Sequence, residues 1–349
     1  MRTLNKNLMQ KPQFLKQKPM QKVMIALTPV ILAAVYFFGL RVLAVLAICS
    51  IFAFLTEWIM ASKRNGKVTQ ACFVTAMLYG LALPPAVPFW VAAVGIIVGI
   101  LFGKEVFGGF GKNVFNPAIV GRAFVWICFP VELTSKFVPA FSGFPGGFTK
   151  WSMGETATGP AFANTSDLDA FTTATPMFAE QTYGYITNLW SLFTGQITGI
   201  IPVEGHKFVL GAGSMGEVSS LAILLGAAYL IYTKAAQIRL MLSPIIGAMG
   251  MAVFMKYIIG AESVPDPAFV LLSGGLLYAA VFMVTEPVSA PKTPQTQWIY
   301  GIFIGIMIVL LRYEGIFTGA VAFSILLGNM LAPSLDLWKK RLKSGKAKA

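Results

Sequence analysis

The sequence predicts an all-α integral membrane protein of about ten transmembrane helices, arranged as two inverted five-helix repeats with re-entrant or broken helices. Three observations carry this expectation. Hydrophobic residues make up 56% of the 349 and charged residues 12%, about half the usual quarter. Mean hydropathy is +0.72, and apolar runs near the ~20 residues of a membrane span recur from residue 23 to the C-terminus. The weaker alternating pattern of an outer-membrane barrel does not occur.

The apolar runs set the expected spans at 23–40, 42–60, 68–84, 88–104, 115–131, 218–233, 240–259, 268–285, 298–312 and 315–333. The opening "MRTLNKNLMQKPQFLKQKPMQK" resembles a signal n-region. The apolar run after it is too long for a signal peptide and lacks a small-residue cleavage site, so it reads as an uncleaved first span. With the N-terminus inside, 21 of the 27 Lys and Arg residues fall on inner segments, counting Lys104, Lys112 and Arg122 as one such cluster. That bias follows the positive-inside rule. It also accounts for the net charge of +13 without nucleic acid. The domain organisation is a basic cytoplasmic segment 1–22, a first membrane half 23–131, an extracytoplasmic loop 132–188, a second half 189–333 and a basic tail 334–349. Five spans on each side of the loop would relate the halves by inversion, a transporter-like architecture.

The loop holds "SDLDAFTTATPMFAE", dense in threonine. A structureless loop of this length is uncommon unless functional. From spacing alone Thr175 is a loop threonine before Pro176 or a helix cap. No Lys or His stands nearby to activate it as a nucleophile. "GGFGKNVFNPA" reads as a close-packed turn entering span five, with Asn116-Pro117 starting the helix, or as a helix N-terminus near an anionic or flavin ligand. Ser214 to Glu217 resembles a capping box before span six, which sets Glu217 near the outer boundary. Glu57, Glu105 and Glu286 lie near or within spans, where acids are functional candidates. Glu217, Glu286 and Glu57 are the candidate ion-path residues. Cys49, Cys72 and Cys128 sit far apart in apolar runs and read as small buried residues. His206 stands alone, and no metal spacing is present.

Four stretches, "GGFGKNVFNPAIVGRAF", "DAFTTATP", "GSMGEVSSLAILLGA" and "AVFMVTEPVSAP", resemble in that order the RnfD/NqrB family, which spans the Rnf electron-transport complex and the sodium-pumping NADH:quinone oxidoreductase. The resemblance covers nearly the whole chain. It implies FMN carried through a phosphoester at the last position of an S/T-x-A-T motif. Here that motif is Thr172-Thr173-Ala174-Thr175, with Thr173 where glycine or serine is commoner. Thr175 is the implied attachment site, with Phe171, Phe178 and Tyr183 as nearby candidate walls. A second, non-covalent riboflavin is known in the quinone-reductase homologue.

The resemblance further implies a non-catalytic subunit of an ion-translocating oxidoreductase in a bacterial or archaeal cytoplasmic membrane, both termini cytoplasmic. It would relay electrons between flavins within a complex that couples electron transfer between ferredoxin and NAD to the movement of Na⁺ or H⁺. The short segment before span one fits the Rnf protein better than the quinone-reductase one. Partners would be the membrane proteins RnfA and RnfE, the FMN-bearing RnfG, the iron–sulfur proteins RnfB and RnfC, a flavin transferase and lipid. This chain carries no Rossmann fingerprint and no iron–sulfur cysteine cluster. Rival readings are a subunit of a quinone-reducing sodium pump, a urea-channel-like solute transporter without flavin, and a scaffold that has lost its cofactor.

Overall fold

The computed structural model describes residues 13–64, 66–152, 175–203, 206–315 and 319–346. A short strand β1 (Phe14–Leu15) precedes α1 (Lys18–Phe38), which Pro19 opens in its first turn and Gly39 ends. The chain turns at once into α2 (Arg41–Lys63). Strand β2 (Val68–Thr69) then pairs in parallel with β1, Phe14 opposite Val68 and Leu15 opposite Thr69. Next come α3 (Ala71–Leu81), α4 (Phe89–Ile100) with a π turn over Leu101–Glu105, and α5 (Pro117–Cys128). The segment between α5 and α9 contributes the short helices α6 (Pro130–Thr134), α7 (Pro176–Tyr183) and α8 (Leu189–Thr194). It also contributes an antiparallel hairpin, β3 (Ile200–Val203) with β4 (His206–Val209). The second half holds α9 (Ser220–Tyr232) and α10 (Ile238–Val253), the latter continued by a π turn over Phe254–Ile259. After α11 (Pro267–Leu272) and α12 (Leu276–Tyr278), a π turn runs over Ala279–Met283. Helices α13 (Pro294–Tyr313) and α14 (Ala320–Lys346) complete the chain.

The protein is a multi-pass, all-α membrane protein. Among the described residues, five helices are long and apolar enough to cross a bilayer: α1, α2, α10 with its π turn, α13 and α14. The expected spans 68–84, 115–131 and 218–233 contract to helices of 11, 12 and 13 residues. At 1.5 Å per residue they rise only ~17–20 Å of a ~30 Å core. The expected span 268–285 is interrupted at Ser273-Gly274-Gly275. Helix α14 runs unbroken through Pro333 to Lys346, past the expected span end at 333. Asp336 anchors that extension by accepting from Lys292 N at 3.0 Å and Thr296 Oγ1 at 3.1 Å.

Contacts define two faces. Lys22 donates to Thr233 O at 2.8 Å, and Asn113 to Glu286 at 3.4 Å, on the amino-terminal face. Arg41 donates to Val87 O at 2.8 Å, and Leu40 N to Lys150 O at 2.8 Å, on the loop face. Helix α1 therefore runs away from the amino-terminal face and α9 toward it. The same pairings recur in both halves: α2 with α4 and α4 with α5, then α10 with α13 and α13 with α14.

Small residues make these pairings close, as helix association in lipid requires. A Cβ on Gly99 would lie 2.6 Å from Pro117 O, and one on Gly305 2.1 Å from Pro244 O. Backbone cannot retreat from such a contact without parting the helices. Gly305→Leu is expected to destabilise the chain by at least the ~1–3 kcal/mol of core overpacking. Thermal unfolding in detergent checks this, and an unchanged midpoint refutes backbone-to-backbone packing of α10 on α13.

Candidate functional site

The broken helices meet at mid-depth. Met215 N donates to Leu83 O at 3.1 Å and Gly216 N to Leu81 O at 2.6 Å, so the turn before α9 lies across the end of α3. A helix that ends inside leaves its last carbonyls without intrahelical donors. Two arginines within apolar helices satisfy them. Arg122 of α5 donates to Ala82 O at the carboxyl end of α3. Arg312 of α13, 4% exposed, donates to Val270 O at 3.2 Å and Ser273 O at 3.3 Å, at the end of α11. The sequence assigned Arg122 to an inner charge cluster. The structure sets it inside α5 instead, because the helix end it caps lies there.

Glu217 faces the same centre and acts electrostatically on both guanidinium groups. Its carboxylate fits because no side chain intervenes. A Cβ on Gly213 would lie 2.8 Å from Oε1, and one on Gly275 2.8 Å from Oε2. The capping box is half present: Glu217 accepts from Ser214 N at 2.8 Å. The cap of α9 is Ser219, whose hydroxyl accepts from Ala222 N at 3.4 Å. Glu217 therefore turns inward toward the arginines.

Above this centre, toward the loop face, lies a cavity of about 500 Å³ lined by Arg122, Trp126, Thr175, Phe178, Glu217 and Arg312, among others. Its volume is in the usual range of ligand sites. Thr175 caps α7, with its hydroxyl accepting from Phe178 N at 3.3 Å. Phe178 and Tyr183, both on the wall, meet edge to face at 6.1 Å. Phe171, Thr172, Thr173 and Ala174 lie outside the described residues. Below the arginines a void of about 10 Å³, lined by Glu217, Tyr278 and Met283 among others, is no larger than one water.

The other two candidate carboxylates stand apart, on the amino-terminal side. Glu57, 2% exposed, is held in a buried ion pair with Lys104 Nζ at 2.6 Å. Thr69 completes that cluster through its N–H at 2.8 Å and its hydroxyl at 2.7 Å. Glu105 pairs with Arg64. Glu286 accepts from Ser289 N at 3.0 Å and from Asn113. Lys104, Asn113, Asn116 and Glu286 line a cavity of about 60 Å³. Asn116 caps α5 as its motif predicts, accepting from Ala118 N at 3.0 Å. The structure therefore brings Glu57 and Glu286 to the amino-terminal side and sets Glu217 apart from them, beside Arg122 and Arg312. Cys49 and Cys72 are buried, but Cys128 is exposed, because α5 ends there at the loop side. No group of three potential metal ligands exists among the described residues.

Sequence reasoning missed Arg122, Arg312 and Glu180. A cation within an apolar run was the available signal for the arginines. Glu180 lies on α7 and lines an open vestibule of about 710 Å³ on the loop face. Burial pushes its carboxyl up to about 7, against the opposing pull of Lys256.

The sequence profile of the NQR2, RnfD, RnfE family matches residues 9–345. The chain is 34% identical over 287 residues to the B component of the Na(+)-translocating NADH-quinone reductase of Chromohalobacter salexigens, covering 80% of this chain and 61% of that one. It is 35% identical to the same component in Azotobacter vinelandii, with 80% and 62% covered. The chain thus spans about six-tenths of the length of these relatives. The D component of the proton-translocating ferredoxin:NAD(+) oxidoreductase complex of Clostridium ljungdahlii is 32% identical over 336 residues, covering 94% of this chain and 91% of that one.

Two outcomes follow from the charges. Lys104→Met alone strands a buried carboxylate and is expected to cost about 3–5 kcal/mol, whereas the Glu57→Met/Lys104→Met pair costs much less. A double-mutant cycle of unfolding in detergent measures the difference, and additive losses would refute the pairing. Glu180 has its folded value above its unfolded one, so ionising it opposes folding. Wild-type stability relative to Glu180→Gln should therefore fall as pH rises from about 4.5 to about 7 and level off above. A pH-independent difference between the two proteins would refute the assignment.

Proposed function

Because the chain belongs to the NQR2, RnfD, RnfE family, we propose that it is a membrane subunit of an Rnf-type ion-translocating oxidoreductase and carries FMN on Thr175. The observation that carries the flavin reading is the position of Thr175 at the wall of the 500 Å³ cavity, at the amino end of α7. The ferredoxin:NAD(+) relative aligns with 94% of this chain and the NADH-quinone reductase relative with 80%, which favours the ferredoxin:NAD(+) type. The coupled cation would be H⁺ or Na⁺, as the relatives' names carry one each. Ferredoxin and NAD chemistry would belong to other subunits of the complex.

The residues present fit the group. A phosphoester at Thr175 Oγ1 would stand where the first-turn N–H groups of α7, Phe178 N among them, favour an anion. Trp126 and Phe178 supply flat apolar walls for a tricyclic ring. A flavin held there accepts and returns one or two electrons. Arg122 and Arg312 put two fixed positive charges at the cavity floor, where they would offset negative charge arriving with those electrons, and Glu217 moderates them. The 60 Å³ cavity at the opposite end is far below the usual ~300 Å³ of a ligand site. A second, non-covalent riboflavin there would require its walls to open.

In this reading the Lys- and Arg-rich amino-terminal face is cytoplasmic and the Thr175 face extracytoplasmic, as the positive-inside rule requires. Neighbouring membrane and iron–sulfur subunits of the complex are the implied partners, with a flavin transferase for maturation.

The test is in-gel flavin fluorescence of the purified chain after co-expression with a flavin transferase, beside Thr175→Val. A fluorescent wild-type band abolished by the substitution is the expected result. A dark wild-type band, with the transferase active on another target, overturns the flavin reading and leaves solute transport or a cofactor-free scaffold.

A further inference from the structure

Helix α7 forms a partition. Thr175 at its start lines the cavity, while Glu180 and Gln181 line the vestibule open to the loop face. Glu180 is five positions beyond Thr175, ~7.5 Å of helix rise, within one Debye length at physiological salt. Arg312 lines both voids, and its carbonyl accepts from Gln181 Nε2 at 2.8 Å, which fixes α7 against α13. Two polar atoms at this partition are buried without a protein hydrogen-bond partner among the described residues, Glu180 Oε2 and Tyr313 Oη. Buried polar atoms without a partner call for an account.

We propose that Glu180 is a proton-exchanging carboxyl that takes its proton from the loop-face vestibule and holds it beside the Thr175 cavity. The step balances simply. An O–H bond forms on the Glu180 carboxylate, a vestibule hydronium becomes water, and the residue passes from −1 to neutral. One electron entering the cavity is thereby offset by one proton entering the wall, and no electron passes through Glu180. The inference rests on the flavin reading for the source of that charge, but the titration of the carboxyl does not.

The groups facing Glu180 permit this. Lys256, from the π turn after α10, is engaged with Asp266, whose carboxyl it holds below the usual range with help from Tyr257. Arg312 is committed to the carbonyls of α11. Glu262 on the vestibule wall adds negative charge, and Tyr313 presents an uncharged phenol. Burial then dominates and sets the titration near neutrality, at about 7.

The test is difference infrared spectroscopy of the purified full chain in nanodiscs across pH 5 to 9. It is made on wild type, Glu180→Gln, Glu180→Asp and Thr175→Val. The pH dependence of the flavin midpoint potential is measured alongside on wild type and Glu180→Gln. A protonated-carboxyl band with a midpoint near 7 is expected in wild type and Thr175→Val. It should be shifted in Glu180→Asp and lost in Glu180→Gln, where the potential keeps the flavin's own pH dependence but loses the added steepness around neutrality that wild type shows. A Glu180 band that has vanished by pH 5.5 overturns the proposal. So does a potential with the same pH dependence in wild type and Glu180→Gln. A chain without flavin overturns the reading of the cavity instead, and the infrared midpoint alone then decides the role of Glu180.

Discussion

Everything in the centre of this protein depends on closing off backbone carbonyls that helix breaks expose at membrane depth. A helix ending in hydrocarbon leaves its last carbonyls without donors, at several kcal/mol per group. Here α3 and α11 both end inside, and each end is met by a guanidinium from the helix beside it, Arg122 and Arg312. Arginine suits the task, because its planar group offers several donors in a fixed fork and stays charged. Two buried cations in turn call for negative charge, and Glu217 reaches them through the space that Gly213 and Gly275 leave open. The breaks, the arginines, the glutamate and the glycines form one unit.

That unit also explains where the cavity is. Helices that stop at mid-depth leave the volume beyond them unfilled, and the loop face closes over it with α6, α7 and the turn at 212–217. The floor is cationic because the caps are. Thr175 reaches this volume because it starts α7, and α7 is held by the Gln181 bond to α13. The opposite end of the molecule is organised differently. There Glu57, Lys104 and Thr69 neutralise one another in a closed cluster, which ties α2 and the π turn of α4 to β2. A carboxylate so engaged serves packing first, since releasing it would expose an unpaired buried charge.

Composition and apolar periodicity made the all-α, multi-pass class legible, because a bilayer demands long apolar runs whatever the sequence detail. The full-length helices α1, α2, α10 and α13 fall where those runs are. Asn116-Pro117 announced the start of α5 through local capping chemistry, and Thr175, read as a loop threonine or a helix cap, proves to be the cap of α7. Run length overestimated α3, α5 and α9, because apolar residues that fill a protein interior look the same as those that face lipid. It also missed the extension of α14, because the contacts that hold its polar end come from residues 40 or more positions away.

The candidate site divides along the same line. Residue type and position alone made Glu57, Glu217 and Glu286 the acids to watch, and resemblance to the family implied Thr175 as the attachment candidate. Tertiary structure alone decided that Arg122, Glu217 and Arg312 share one centre with Thr175, that Glu57 is already paired, and that Glu180 faces a separate vestibule. Those facts depend on contacts between residues far apart in the chain, such as Arg122 with Ala82 and Gln181 with Arg312. No local pattern encodes such contacts, because they are fixed by how close two helices can approach and which carbonyl is left without a donor.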